Sequence, residues 1–157
     1  MPSIKAIATM AAVYGLAQTV ATNATPPSSI TTDPNVGAFY STAPAQKSVP
    51  QYFLAINGIE GGKQEPRYIG AGRTEEFEVL GAAWGGVADP SPTNLETLCQ
   101  FLGELITSLD TSIDADPTLG GNVVQSWLAT YDLEFDTEQQ GRAAFITFTI
   151  HCEALTS

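Results

Sequence analysis

The sequence is poor in positive charge. Six Lys and Arg face 17 Asp and Glu, so the 157-residue chain carries −11 at neutral pH. Tight binding of free nucleic acid needs clustered Lys and Arg, and this balance argues against it. Cysteine is scarce as well. Cys99 and Cys152 sit in apolar contexts, outside any CxxC or metal-ligand spacing, which removes a disulfide framework or a zinc ribbon. Reduced thiols are the expectation, although the spacing alone leaves a bridge between them open. There is one histidine, His151. No apolar run is long enough to cross a membrane as a helix. Charged residues make up only 15% of the chain, while Ser, Thr, Gly and Pro are plentiful, a mix that suits strands and long loops.

What is present suits one domain. A chain of this length buries roughly 70% of its unfolded surface, so it folds without a disulfide or a metal. The expectation is a single α+β domain over 1–157 with an extended Pro/Ser/Thr-rich loop at 22–50.

Residues 1–24, MPSIKAIATMAAVYGLAQTVATNA, admit two readings. Lys5, an apolar stretch over 6–16 and the small residues 21–24 resemble a secretory leader. The alternative is an amphipathic helix begun at Ser3, with Ile4, Ile7, Ala8, Ala11, Tyr14 and Ala17 at helical spacing. The Ala-rich stretch, interrupted by Thr9 and Gly15, favours the helix.

The five prolines of 22–50 predict extended loop, which Phe39 and Tyr40 would pin to the domain or to a neighbouring subunit. QYFLAI (51–56) reads as a strand. The segment 57–72 reads as a Gly- and Pro-punctuated connection, with RYI as a possible short strand. RTEEFEVLGAAWGGV (73–87) reads as a strand on which Glu76 and Glu78 alternate with Phe77 and Val79, and Gly81 suggests a bulge. Thr93 with Glu96 spells a capping box. The helix behind it carries a stripe of Leu95, Leu98, Cys99, Leu102, Leu105, Ile106, Leu109 and Ile113. Asp110, Asp114 and Asp116 crowd its C-terminal end against the macrodipole. Pro117 stops it, and Gly120 and Gly121 permit the reversal. A strand follows with Trp127, Ala129, Tyr131, Leu133 and Phe135 on one face and Leu128, Thr130, Asp132 and Glu134 on the other. DTEQQGR reads as a turn, and AAFITFTIHCEAL closes a long β-hairpin. The sum is a mostly antiparallel sheet with two helices packed on one face.

Reactive constellations are hard to find. A Cys99–His151 nucleophilic pair has no local support, and His151 reads as a half-exposed strand residue. Glu75 beside Glu76 reads as a solvated strand edge better than as glycosidase carboxyls. DADPTLGG lacks the alternating ligands of a calcium loop, and GIEGGK fails the phosphate-loop spacing. The residues therefore predict no enzyme, no cofactor and no metal.

From TEEFEV through the helix TNLETLCQFLGELITSLDTSI, the break DADPTLGGNVVQSW and the terminal GRAAFITFTIHCEAL, about residues 74–155, the sequence resembles the tail terminator proteins of long-tailed bacteriophages. The resemblance implies a structural virion protein forming a hexameric ring. That ring would cap the tail tube protein and join it to head-completion or connector proteins at the neck, after assembly in the host cytoplasm. Genome DNA would pass through without specific binding, and no membrane or cofactor would take part. The long 22–50 segment departs from the family. A ring that conducts DNA should repel phosphate, so Glu75, Glu76, Glu78, Asp132 and Glu134 are expected to face the lumen. Lys63, Arg67 and Arg73, half of the basic residues, are expected at an interface, together with Phe39 and Tyr40. Other readings are a further neck or tube component, a head-completion or stopper protein, and a secreted acidic binding module.

Overall fold

The computed structural model describes residues 5–27, 35–39, 51–66, 72–87, 89, 91–135 and 143–156. Its elements, in order, are α1 (Ala6–Asn23), β1 (Asn35–Phe39), β2 (Gln51–Pro66), β3 (Arg73–Gly86), α2 (Pro92–Ala115), β4 (Gln125–Phe135) and β5 (Ala143–Thr156). They form one five-stranded sheet in the order β1-β2-β3-β5-β4. Four strands are mutually antiparallel, and β1 adds parallel to β2. The expected α+β class and mostly antiparallel sheet are therefore present. The turn assigned to 136–142 lies outside the described residues, but β4 and β5 do pair antiparallel.

The sheet has two unlike faces because side chains alternate along each strand. Tyr52, Leu54 and Ile56 of β2, Phe77, Val79 and Ala83 of β3, and Ile146 to Ala154 at every second position of β5 share one core with both helices. On the opposite face, Phe53, Ala55, Trp84 and Ala143 make a second, smaller cluster. The Phe53 and Trp84 rings stack there at 5.5 Å. Tyr52 meets Phe101 edge-on, and its buried hydroxyl donates to the Ala21 carbonyl at 3.1 Å, tying β2 to the end of α1. Burial pushes the Tyr52 phenol up from its ordinary value.

Several local expectations are corrected. Helix α1 buries Ala6, Met10, Val13, Ala17, Val20 and Ala21, whereas Ile7 is 53% exposed, and Ala8 and Ala11 are exposed too. Of the expected stripe Ala17 is buried and Tyr14 packs half-buried against the core, while Ala6, Met10 and Val13 take the places expected of Ile7, Ala8 and Ala11, because an Ala-rich helix has apolar side chains all round. The helix starts at Ala6, without a capping side chain of its own. The 22–50 loop contains β1. The segment 57–66 is the far half of β2, paired with β3 from Glu60 opposite Glu78 to Pro66 opposite Arg73. The extra residue of the Gly61-Gly62 pair is absorbed as a bulge, with Gly61 at a positive φ of 67°. The strand expected at RYI begins at Arg67, outside the described residues.

Helix α2 begins earlier than the capping box implied. Ser91 is its N-cap, its hydroxyl accepting from the Asn94 N–H at 3.2 Å, and Pro92 opens the first turn. Its buried stripe matches the expectation and gains Phe101, while Leu95 and Cys99 are half-buried. One carboxylate of the acidic C-terminus has a structural role. Asp116 accepts from the Thr118 hydroxyl at 2.6 Å and from the Gly120 N–H at 2.8 Å, so its carboxylate builds the reversal. Those two donors hold its carboxyl below the usual range. In the same turn Leu119 takes a positive φ of 51° and is nevertheless buried.

Candidate functional site: the β4 edge and the helix-free face

Two surfaces, on opposite faces of the sheet, carry several of the residues singled out above. They meet along β4, the terminal strand of the sheet, which pairs only with β5 among the described residues.

The faces of β4 are decided by a bulge. Its register with β5 shifts between Leu128 and Thr130, so Ala129 is an extra residue. Trp127 opposes His151, and after the shift Thr130, Asp132 and Glu134 oppose Thr149, Thr147 and Phe145. These residues share the helix-free face. Leu128, Tyr131, Leu133 and Phe135 oppose Ile150, Phe148, Ile146 and Ala144, on the helix-side face. The expected grouping of Trp127 with Tyr131, Leu133 and Phe135 is therefore corrected. One extra residue inverts every position behind it.

The apolar row is uncovered. Tyr131 is 69% exposed, Leu133 48% and Phe135 54%, although the β5 residues beside them are core. Helix α2 ends its coverage near Leu128. A cleft of about 290 Å³ lies there, lined by Gly103, Ile106, Asp110, Leu128, Tyr131 and Ile146. Burial and the nearby Asp114 raise the Asp110 carboxyl above its ordinary range.

The helix-free face is acidic. Glu60 opposes Glu78, and Glu76 opposes Glu153, across adjacent strands. Like charges so placed disfavour the sheet. His151 lies among them, its Nε2 3.4 Å from Glu153 and its Nδ1 4.0 Å from Glu78. Trp127 tilts over the imidazole at 4.6 Å. Gln125 bonds the other oxygen of Glu153.

Of the five carboxylates expected to share a lumen, four do share a face: Glu76, Glu78, Asp132 and Glu134. Glu75 does not. It is 4% exposed on the helix side, where Oε1 accepts the Lys5 backbone N–H at 2.8 Å and Oε2 accepts from Gln64 Nε2 at 2.8 Å. Glu75 therefore caps α1 from 70 residues away, and it is withdrawn from the solvent-facing set. The signal was available in the sequence, since Glu75 has the same parity as Phe77 and Val79.

Two of the three cations expected at an interface, Lys63 and Arg73, are among the described residues. Lys63 and Arg73 lie on paired strands rather than on a loop. Lys63 pairs with Glu65 at 2.8 Å, both exposed, and this bond raises the Lys63 amine and lowers the Glu65 carboxyl. Arg73 donates to Gln64 at 3.5 Å. Phe39 ends β1, and Arg67 and Tyr40 lie outside the described residues.

Both cysteines are free thiols. Cys152 lies in the helix-side core and His151 on the other face, while Cys99 belongs to α2, so the sheet separates Cys99 from His151. Burial raises the Cys99 thiol, and burial with Glu78 pushes the Cys152 thiol up to about 12. A cleft of about 420 Å³ between α1 and α2 is lined by residues that include Thr19, Asn23, Ser108, Ser112 and a lone carboxylate, Glu104. No group of three metal-ligating side chains occurs among the described residues. No described helix is long and apolar enough to cross a membrane.

No protein-family model matches the chain, and no curated protein matches it.

Proposed function

We propose that this chain is a structural assembly subunit, specifically a bacteriophage tail terminator whose ring caps the tail tube at the neck. One observation carries the assembly role: Tyr131, Leu133 and Phe135 stand exposed along a terminal strand. A long edge that no described residue pairs with, carrying an apolar row, is a natural place for another chain to add. The terminator assignment is narrower and rests on the sequence resemblance over residues 74–155. The acidic helix-free face suits a passage that conducts DNA without holding it, with Glu76, Glu78, Asp132 and Glu134 toward the lumen.

Native mass spectrometry and negative-stain imaging of the purified protein test the reading. Closed rings of six subunits are expected, with the acidic face inward. A protein that remains monomeric at every concentration up to about 100 μM, or that closes with a neutral lumen, overturns it.

A further inference from the structure

We propose that the outer edge of β4 receives an extended strand from a different polypeptide, one alternating apolar and basic residues. The inference rests on reading β4 as an assembly surface and goes on to name what binds there.

Two features of β4 define the occupant. Tyr131, Leu133 and Phe135 project to one face, and Asp132 and Glu134 project to the other. A strand added alongside alternates in the same way. One set of its side chains would continue the apolar row toward the α2 cleft, and the other set would lie beside two carboxylates. Opposite-charge cross-strand pairs stabilise a sheet, and like-charge pairs destabilise it. The matching sequence therefore has a Val-, Ile- or Leu-like residue at every second position and Lys or Arg between.

A second copy of this chain does not meet that description. Its six basic residues are Lys5, Lys47, Lys63, Arg67, Arg73 and Arg142, and no two of them are two positions apart. Pairing β4 with its own copy fares no better. The antiparallel register that sets Leu133 against Leu133 and Tyr131 against Phe135 also sets Asp132 against Glu134, twice. In that register the acidic members of β4 act against self-pairing while its backbone edge stays competent for another chain.

The test uses the full-length protein and two fluorescein-labelled nine-residue peptides, one alternating Val and Lys, the other Val and Glu. Fluorescence anisotropy at low salt reads binding. The Lys peptide is expected to saturate about tenfold or more tighter than the Glu peptide. The double variant Asp132→Lys/Glu134→Lys should reverse the preference. Leu133→Asp separates strand addition from general attraction to an acidic protein. It adds a negative charge, so general attraction predicts tighter binding of the Lys peptide, whereas loss of the apolar row predicts weaker binding. All three positions are exposed, and circular dichroism should show every variant folded.

Equal binding of both peptides, no binding, or tighter Lys-peptide binding by Leu133→Asp overturns the proposal. So does a ring of the intact protein that Leu133→Asp disperses, since the occupant is then a second copy. That last result would leave the proposed assembly role standing. A protein that binds the Lys peptide at β4 but never forms rings would overturn the terminator reading alone.

Discussion

A methyl group at Gly81 should cost stability, although glycine in a strand is ordinarily a weak choice. Two effects compete. Replacing a strand glycine by alanine lowers the entropy of the unfolded chain and gains roughly 0.5–1 kcal/mol where the site has room. Here the site has none. A Cβ at Gly81 would lie 2.3 Å and 2.7 Å from ring carbons of Phe148 and 2.8 Å from the Ala55 carbonyl oxygen. Carbon contacts settle near 3.5–4.0 Å, so the ring must move by roughly 1 Å. Phe148 is 2% exposed within the core, and Ala55 belongs to the backbone of a paired strand. Overpacking of this kind costs about 1–3 kcal/mol. The clash exceeds the entropy gain, and Gly81→Ala should lose about 1–2 kcal/mol net. Urea unfolding followed by circular dichroism should show a lower midpoint at unchanged slope. Phe148→Leu, made alone and with Gly81→Ala, tests the cause, because the shorter side chain makes room for the methyl. The pair should be coupled by about 0.5 kcal/mol or more. A stabilised Gly81→Ala, or a strictly additive double variant, would refute the reasoning.

Further expectations follow from other sites. Gly85→Ala should cost less than Gly81→Ala, since the nearest atoms are Leu98 and Leu102 methyls on α2 rather than backbone, and the same urea series decides it. Glu75→Ala should cost about 1–3 kcal/mol by stranding the Lys5 N–H and the Gln64 amide, and Glu75→Gln less; unchanged hydrogen exchange in the first turn of α1 would count against the tertiary cap. The neutral Cys152 thiol is favoured in the fold and lost sooner on unfolding, so its contribution to stability declines as pH rises from about 9 toward 12, by at most about 1.4 kcal/mol per unit. Urea midpoints compared with those of Cys152→Ala should diverge in that window. The Asp116 carboxylate helps the turn above its unfolded range, and that help disappears as pH falls through its depressed folded value. The Gly120 amide resonance should report the change, and an Asp116→Ala protein should lack it.

The parts legible from sequence were those whose signal is local and periodic. The α2 stripe, the reversal at Gly120 and Gly121, and the alternation of β3 and β5 each express one element's own pattern. The errors arose where pairing between elements decides the outcome. Ala129 bulges only because of its register with β5, so simple alternation put Trp127 on the wrong side of Tyr131. The β1 strand exists by pairing with β2, and its five residues carry little pattern of their own. Helix α1 offered apolar residues at every phase, and only the sheet beneath it selects Met10 and Val13 over Ile7. The acidic candidates divided by parity: Glu76, Glu78, Asp132 and Glu134 share one face, and Glu75, in phase with Phe77, turns inward.

The bond between Lys5 and Glu75 also bears on how the chain acquires its structure during synthesis. Helix α1 is synthesised before every strand of the sheet, yet it has no acidic residue in its first turn and no capping side chain of its own. The carboxylate that secures it is made 70 residues later, on a strand in the middle of the sheet. The segment that forms α1 therefore waits in an unsecured state while 70 further residues are translated. Its Met10 and Val13 stay open to chaperones or to neighbouring nascent chains until β3 emerges.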